Sequence, residues 1–270
     1  MKKIIALALA LVLCVALVAC GAKEETGAKI AAQKGTTSFM YADALKNTKV
    51  TTYDTFALAA KDMLNGNADY LFVDKTTAKA LQKEITGLKI IEIALSSENY
   101  GIGIDKNQAD LKTKIDNILK DKATEIDAIK EKYMNGEEDK YVGVTSGTKD
   151  GSKAAEQLVV ATNAEFAPWE YKEGNQFYGI DMEIAKLIAD ELGLELVIDD
   201  MEFDAVVGAV GKQNVDIAMS GITITTERLS VINFSEPYYT ESIVCVVPAA
   251  NTELDSAGTV VDMLNVICAK

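Results

Sequence analysis

From residue 29 onward the chain alternates short apolar runs with stretches of helical periodicity, and it does so in two series. In the first, 30–33, 50–53, 70–73 and 89–94 read as strands. Between them Phe39, Ala42 and Leu45, and then Phe56, Ala59, Ala60, Met63 and Leu64, recur at the spacing that lines one face of a helix, and Gly66 stops the second of these. A strand is expected at 100–104. Helices marked by Leu111, Ile115, Ile118 and Leu119 and by Ile126, Ile129 and Tyr133 follow it. The second series has strands at 158–161, 194–198, 215–219 and 242–247. One helix carries Ile180, Ile184, Leu187 and Ile188 and closes at Gly193, and another turns Val206, Val207 and Val210 inward. Apolar strands separated by helices imply mostly parallel sheets with helices on both faces, an α/β fold. A chain of 270 residues exceeds a typical single core and allows two lobes.

The domain organisation follows. Residues 1–19 read as an export signal: Met1-Lys2-Lys3 precedes an apolar run over 4–18, shorter than the roughly 20 residues a spanning helix needs. Leu17-Val18-Ala19-Cys20 looks like a lipobox, in which Cys20 is lipidated and tethers the protein to the outer face of a membrane; an ordinary cleaved signal is the alternative. Residues 20–28 are the tether and 29–97 one αβ lobe. Residues 98–134 supply a hinge strand and helices packing on the other lobe. A polar, glycine-rich linker occupies 135–156, the second αβ lobe with its hinge strand 157–247, and a segment leading back toward the first lobe 248–270.

Charge and composition narrow the function. The net charge is −14, and the signal takes Lys2 and Lys3 with it, so the remaining surface repels nucleic acid. There is no histidine, which removes the commonest acid–base catalyst and the commonest metal ligand. No metal or cofactor is implied. Cys14 leaves with the signal and Cys20 carries lipid; Cys245 and Cys268 remain and need not pair.

One arginine stands among 26 lysines: Arg228, in Ser220-Gly-Ile-Thr-Ile-Thr-Thr-Glu-Arg228, just past the strand expected at 215–219. A guanidinium grips a carboxylate at two points and stays charged when buried. Gly221 lets backbone approach a bound group, and Thr223 adds a hydroxyl. A surface arginine in a turn is the plain alternative.

The flanking sequence carries a resemblance. Ala161-Thr-Asn-Ala-Glu-Phe-Ala-Pro-Trp-Glu-Tyr171, Phe177-Tyr-Gly-Ile-Asp181, Met201-Glu-Phe203, the run 215–228 and Phe234-Ser-Glu-Pro-Tyr-Tyr239 occur together and in order. The combination resembles the extracytoplasmic substrate-binding proteins of polar amino-acid ABC importers. The resemblance implies a two-lobe periplasmic-binding-protein fold whose ligand lies where strand ends diverge. Arg228, Thr223 and the Gly221 backbone would hold an α-carboxylate. Asp74 would receive the α-ammonium, although by position alone it serves equally as the cap of the helix starting at Lys75. Phe166 and Phe203 look like the aromatic pair that sandwiches the ligand's side chain, with plain core as the alternative. Asn163 and Gln33 fall where side-chain selectivity varies, and a neutral amide at Asn163 leans toward a neutral polar ligand. The helix start at Thr36 and Thr37 would add N–H donors. Closure over an L-amino acid, with hinges at 100–104 and 242–247, would then be read by a membrane permease. Two other classes stay open: a non-binding or sensory remnant, and a dehydratase acting on a small carboxylate through Glu165, Glu170 or another carboxylate.

The order of the halves departs from the family. There, the segment like 158–247 comes first, the one like 29–95 second, and helices like those of 111–133 last. Joining Val260-Val-Asp-Met-Leu-Asn265 to Gly27-Ala-Lys-Ile-Ala-Ala-Gln-Lys-Gly35 restores uninterrupted family sequence, so the chain reads as a circular permutant, most simply a monomer. The rival is a truncated tandem array whose halves complete each other between chains.

Overall fold

A computed structural model describes residues 27–212 and 214–270. The expected signal, the lipidated Cys20 and most of the tether lie outside them.

Two five-stranded sheets form the two lobes. In the first, strands lie in the order Thr48–Tyr53, Ala28–Gln33, Tyr70–Asp74, Ile243–Pro248 and Leu88–Ile91. The first three are parallel, and Ile243–Pro248 is antiparallel to both neighbours. The central strands Tyr70–Asp74 and Ile243–Pro248 are covered on both faces, which is why they are largely apolar, whereas the edge strand Thr48–Tyr53 is polar and only half-buried. Tyr70 and Phe72 pack with Met263 and Ile267 of helix Val260–Cys268, while Leu71 and Val73 pack with Phe56, Ala59 and Met63 of helix Phe56–Leu64. Each such buried side chain contributes about 2 kcal/mol.

The second sheet runs Glu195–Asp200, Gln157–Thr162, Ile217–Ala218, Gly103–Ile104, Asn233–Phe234. Its first three strands are parallel and Gly103–Ile104 is antiparallel to both neighbours. Ile180, Ile184 and Ile188 of helix Ile180–Leu192 cover one face together with Ile115, Ile126 and Tyr133, and Val206 and Val210 cover the other. Two αβ lobes with mixed sheets result, the two-lobe α/β organisation expected from the sequence.

Each sheet borrows a strand from the other half of the chain. The strand expected at 100–104 is two pieces. Glu98–Tyr100 belongs to the hinge and Gly103–Ile104 to the second sheet, and between them a Cβ on Gly101 would stand 2.8 Å from Ile224 Cδ1. The boundary expected at 247 also moves, since Ile243–Pro248 lies inside the first lobe's sheet. Ile243, Cys245 and Val247 face one core and Val244 and Val246 the other, so this strand needs cover on both faces, and a central position supplies it. The crossovers run side by side as Glu98–Tyr100 and Tyr239–Glu241, antiparallel, with Tyr100 opposite Tyr239 and Glu98 opposite Glu241.

The linker segment packs against the second lobe. Val144 is buried and forms a bridge with Phe177, and Tyr141 stacks on Tyr133 with ring centroids 4.0 Å apart. At the other end of the molecule, Lys29 N and Lys270 Nζ donate to the two oxygens of Asp69, at 2.8 and 3.2 Å.

Candidate functional site

The strand ends of the two lobes face each other, and a cavity of about 10 Å³ lies between them. Every residue singled out as a ligand contact except Asn163 lines it, together with Phe56. The volume is that of about one water, so the lobes stand closed on each other. Direct bonds join them: Gln33 Nε2 to Asn163 Oδ1 at 3.0 Å, Arg228 Nη2 to Gly35 O at 3.0 Å, and Trp169 Nε1 to Thr76 Oγ1 at 2.9 Å. A salt bridge between Lys34 and Asp204, 2.6 Å, adds to these at the rim.

Arg228 is buried at the start of the short helix Thr226–Val231, whose N-cap Thr225 accepts the Arg228 N–H at 3.1 Å. Its guanidinium bonds two carbonyls, Thr223 O through Nη1 at 2.9 Å and Gly35 O through Nη2, and lies over the Phe203 ring at 5.6 Å. Burial pulls its pKa down, and the carboxylates of Glu98 and Asp74 push it back up. Phe203 is thus a platform for the arginine. The ring partner of Phe166 is Phe56, at 5.7 Å, rather than Phe203.

Gly221 sits at φ +51°, and a Cβ there would come within 2.6 Å of Phe166 Cε1, so the position requires glycine. Its N–H, expected to serve a carboxylate, goes to Asp181 Oδ2 at 2.8 Å. Thr36 caps the helix Thr37–Asp43, accepting from Phe39 N and donating to Gln33 O.

Asp74 does not use its side chain as a cap. Its Oδ1 accepts from Tyr100 OH at 2.7 Å, and burial, then Glu98 and Glu241, push its carboxyl up to about 8. Gln33 and Asn163 are largely committed elsewhere: Gln33 Nε2 also bonds Asp54 O at 2.7 Å, and Asn163 Nδ2 bonds Met201 O at 3.0 Å. Glu170, considered above as an acid, is fully buried behind the cavity and accepts from Ser220 Oγ at 2.6 Å. Glu165 lies exposed at the rim, its carboxyl raised by burial and by Asp200, Glu202 and Asp54.

Sequence reasoning missed Glu98, Glu241, Tyr100 and Phe56. Glu98 and Glu241 are buried opposite each other in the hinge ladder, and only their adjacency to the hinge strands signals them. Phe56 stands at helical spacing and reads as core, which it also is.

Two αβ lobes joined by paired hinge strands and closed over a buried arginine and a buried aspartate define a candidate binding cleft. Residues 158–267 match the bacterial extracellular solute-binding proteins, family 3, a match that covers less than half of the chain. It is similar to the arginine-binding extracellular protein ArtP of Bacillus subtilis (strain 168), 40% identical over 95 residues that make up 35% of this chain and 36% of that one. ABC transporter arginine-binding protein 1 of Escherichia coli (strain K12) is 29% identical over 97 residues, 36% of this chain and 40% of that one. Among solved structures, the amino acid ABC transporter substrate-binding protein AbpA from Streptococcus pneumoniae Canada MDR_19A, bound to L-arginine, is 47% identical with a TM-score of 0.31. That match covers 32% of this chain and 38% of that one. The chain thus spans well under half the length of the curated relatives it matches. The matched family is one of solute-binding proteins, which weighs against the dehydratase reading. The matched family is described as extracellular; among the described residues no helix is long and apolar enough to cross a membrane.

Proposed function

We propose that this chain captures an L-amino acid with a cationic side chain between its lobes and presents it to an ABC permease, tethered to the outer face of the membrane through lipidated Cys20. The observation that carries the reading is that Arg228 and Asp74, from opposite halves of the chain, line the same cavity. A zwitterion needs an anion site and a cation site a few ångströms apart, and these are the two. The lobes part to admit it, and a ligand that bonds both lobes stabilises their closure.

The side-chain preference differs from the neutral one that Asn163 suggested. The Gln33 and Asn163 amides bond each other and nearby carbonyls, while Asp54, Glu165, Asp200 and Glu202 gather at that end, close enough to raise Glu165. A cationic group placed there relieves the repulsion, in keeping with the arginine-binding names of the relatives. A thermal-shift screen of the twenty amino acids is the test: L-arginine, L-lysine or L-histidine should give the largest stabilisation. No shift from any of them would leave the non-binding remnant as the reading.

The chain is also read as a circular permutant with a single cleft. The shared contact of Lys29 and Lys270 with Asp69 supports it, since segments consecutive in the family would lie side by side at this chain's two ends. So does the path of 135–156 along the second lobe, as expected of a connection between former ends.

A further inference from the structure

We propose that Glu98 is a positioning residue that fixes which way round an amino acid lies in the cleft, by turning two threonine hydroxyls into acceptors. The inference rests on the binding reading above and deepens it.

Glu98 stands on the hinge strand, 7% exposed, and does not itself line the cavity. A single oxygen, Oε2, receives Thr37 Oγ1 from the first lobe and Thr223 Oγ1 from the second, both at 2.6 Å, while Oε1 receives Ser96 Oγ at 3.0 Å. A carboxylate only accepts, and a hydroxyl has one proton to give. Thr37 and Thr223 therefore both donate to Glu98, and each keeps only lone pairs for the cavity they line.

This changes the expected role of Thr223. Two acceptor oxygens repel a ligand carboxylate and attract an ammonium, so the α-ammonium lies between Thr37, Thr223 and Asp74. The carboxylate goes to the guanidinium of Arg228, which has five N–H donors and gives bonds from Nη1 and Nη2 to two carbonyls. The surrounding acceptor groups agree with that polarity. Asp74, Glu98 and the facing Glu241 are three buried carboxyl groups on the hinge side of the cavity, against one guanidinium.

The test uses the full protein and three probes: L-arginine, 5-guanidinopentanoate, which lacks only the ammonium, and agmatine, which lacks only the carboxylate. Glu98→Gln keeps the shape and offers the hydroxyls an amide in place of an acceptor-only group. Calorimetry should show L-arginine and agmatine weakened at least tenfold and 5-guanidinopentanoate changed less than twofold. Thr37→Val/Thr223→Val should give the same discrimination, and adding Glu98→Gln to that background should add nothing. Thr37→Ser/Thr223→Ser, which restores the hydroxyls, should recover the wild-type ratio. Equal losses for all three probes, no loss at all, or full additivity of the Glu98 and threonine changes would overturn the proposal. If Glu98→Gln does not fold, the valine and serine pairs decide by the same ratios. A wild-type protein that ignores L-arginine would instead overturn the binding reading, and this inference with it.

Discussion

Arg228 and Gly35 are 193 residues apart in the chain and are joined by a 3.0 Å hydrogen bond from the guanidinium to the backbone carbonyl, across the cleft. The side chain proposed to grip the ligand therefore also helps close the lobes. Arg228→Lys removes the planar fork and leaves a point charge that cannot reach two acceptors in one plane. L-arginine affinity measured by calorimetry should fall at least tenfold, about 1.4 kcal/mol. A change under threefold would remove the clamp from the account.

Asp74 links binding to pH. Its carboxyl is held near 8 when folded, against about 3.9 in an unfolded chain. Because the folded value is raised, its contribution to stability is complete below about pH 4 and is lost as pH rises through 8. Asp181, held near 7 by burial, acts in the same direction. The urea midpoint of the ligand-free protein should therefore fall between pH 5 and pH 8.5, and less steeply in Asp74→Asn. Ligand binding runs the other way: an ammonium beside Asp74 favours its ionised form, so binding at pH 7 releases a proton. Affinity should rise by up to tenfold per pH unit below pH 8, and calorimetry in buffers of different ionisation enthalpy counts the proton.

Gly221→Ala should cost about 2 kcal/mol of stability or more, since φ +51° strains an alanine and the new methyl would meet Phe166 at 2.6 Å. Chemical denaturation measures the loss. A loss under about 0.5 kcal/mol would mean that Phe166 moves freely and does not wall the site.

Much of this arrangement was legible in the sequence, for identifiable reasons. The strands declared themselves because both their faces are buried, as in Tyr70–Asp74, and Arg228 stood out because it has no companion of its kind. Pairing was not legible. Nothing local tells that Ile243–Pro248 inserts between Tyr70–Asp74 and Leu88–Ile91, because strand partners are chosen by contacts far along the chain. The direction of individual hydrogen bonds was hidden too. Thr223 and the Gly221 N–H were expected to face a ligand carboxylate, and each turned out to give its proton to a buried carboxyl, Glu98 or Asp181, placed by the fold.

The tether is tested apart from the cleft. Cys20→Ser should move the protein from the membrane fraction to the medium or the soluble fraction. Continued membrane association of that variant would contradict lipid anchoring at Cys20.

The central claim is that both halves of one chain form one cleft. Arg228, Thr223 and Phe166 come from one half and Asp74, Gln33 and Thr37 from the other, and all line the same cavity. Analytical ultracentrifugation of the signal-free protein during titration with L-arginine tests it most directly. The account predicts a monomer throughout, saturating at one L-arginine per chain. An obligate dimer that loses L-arginine on dissociation would show that the cleft is assembled between chains and would contradict it.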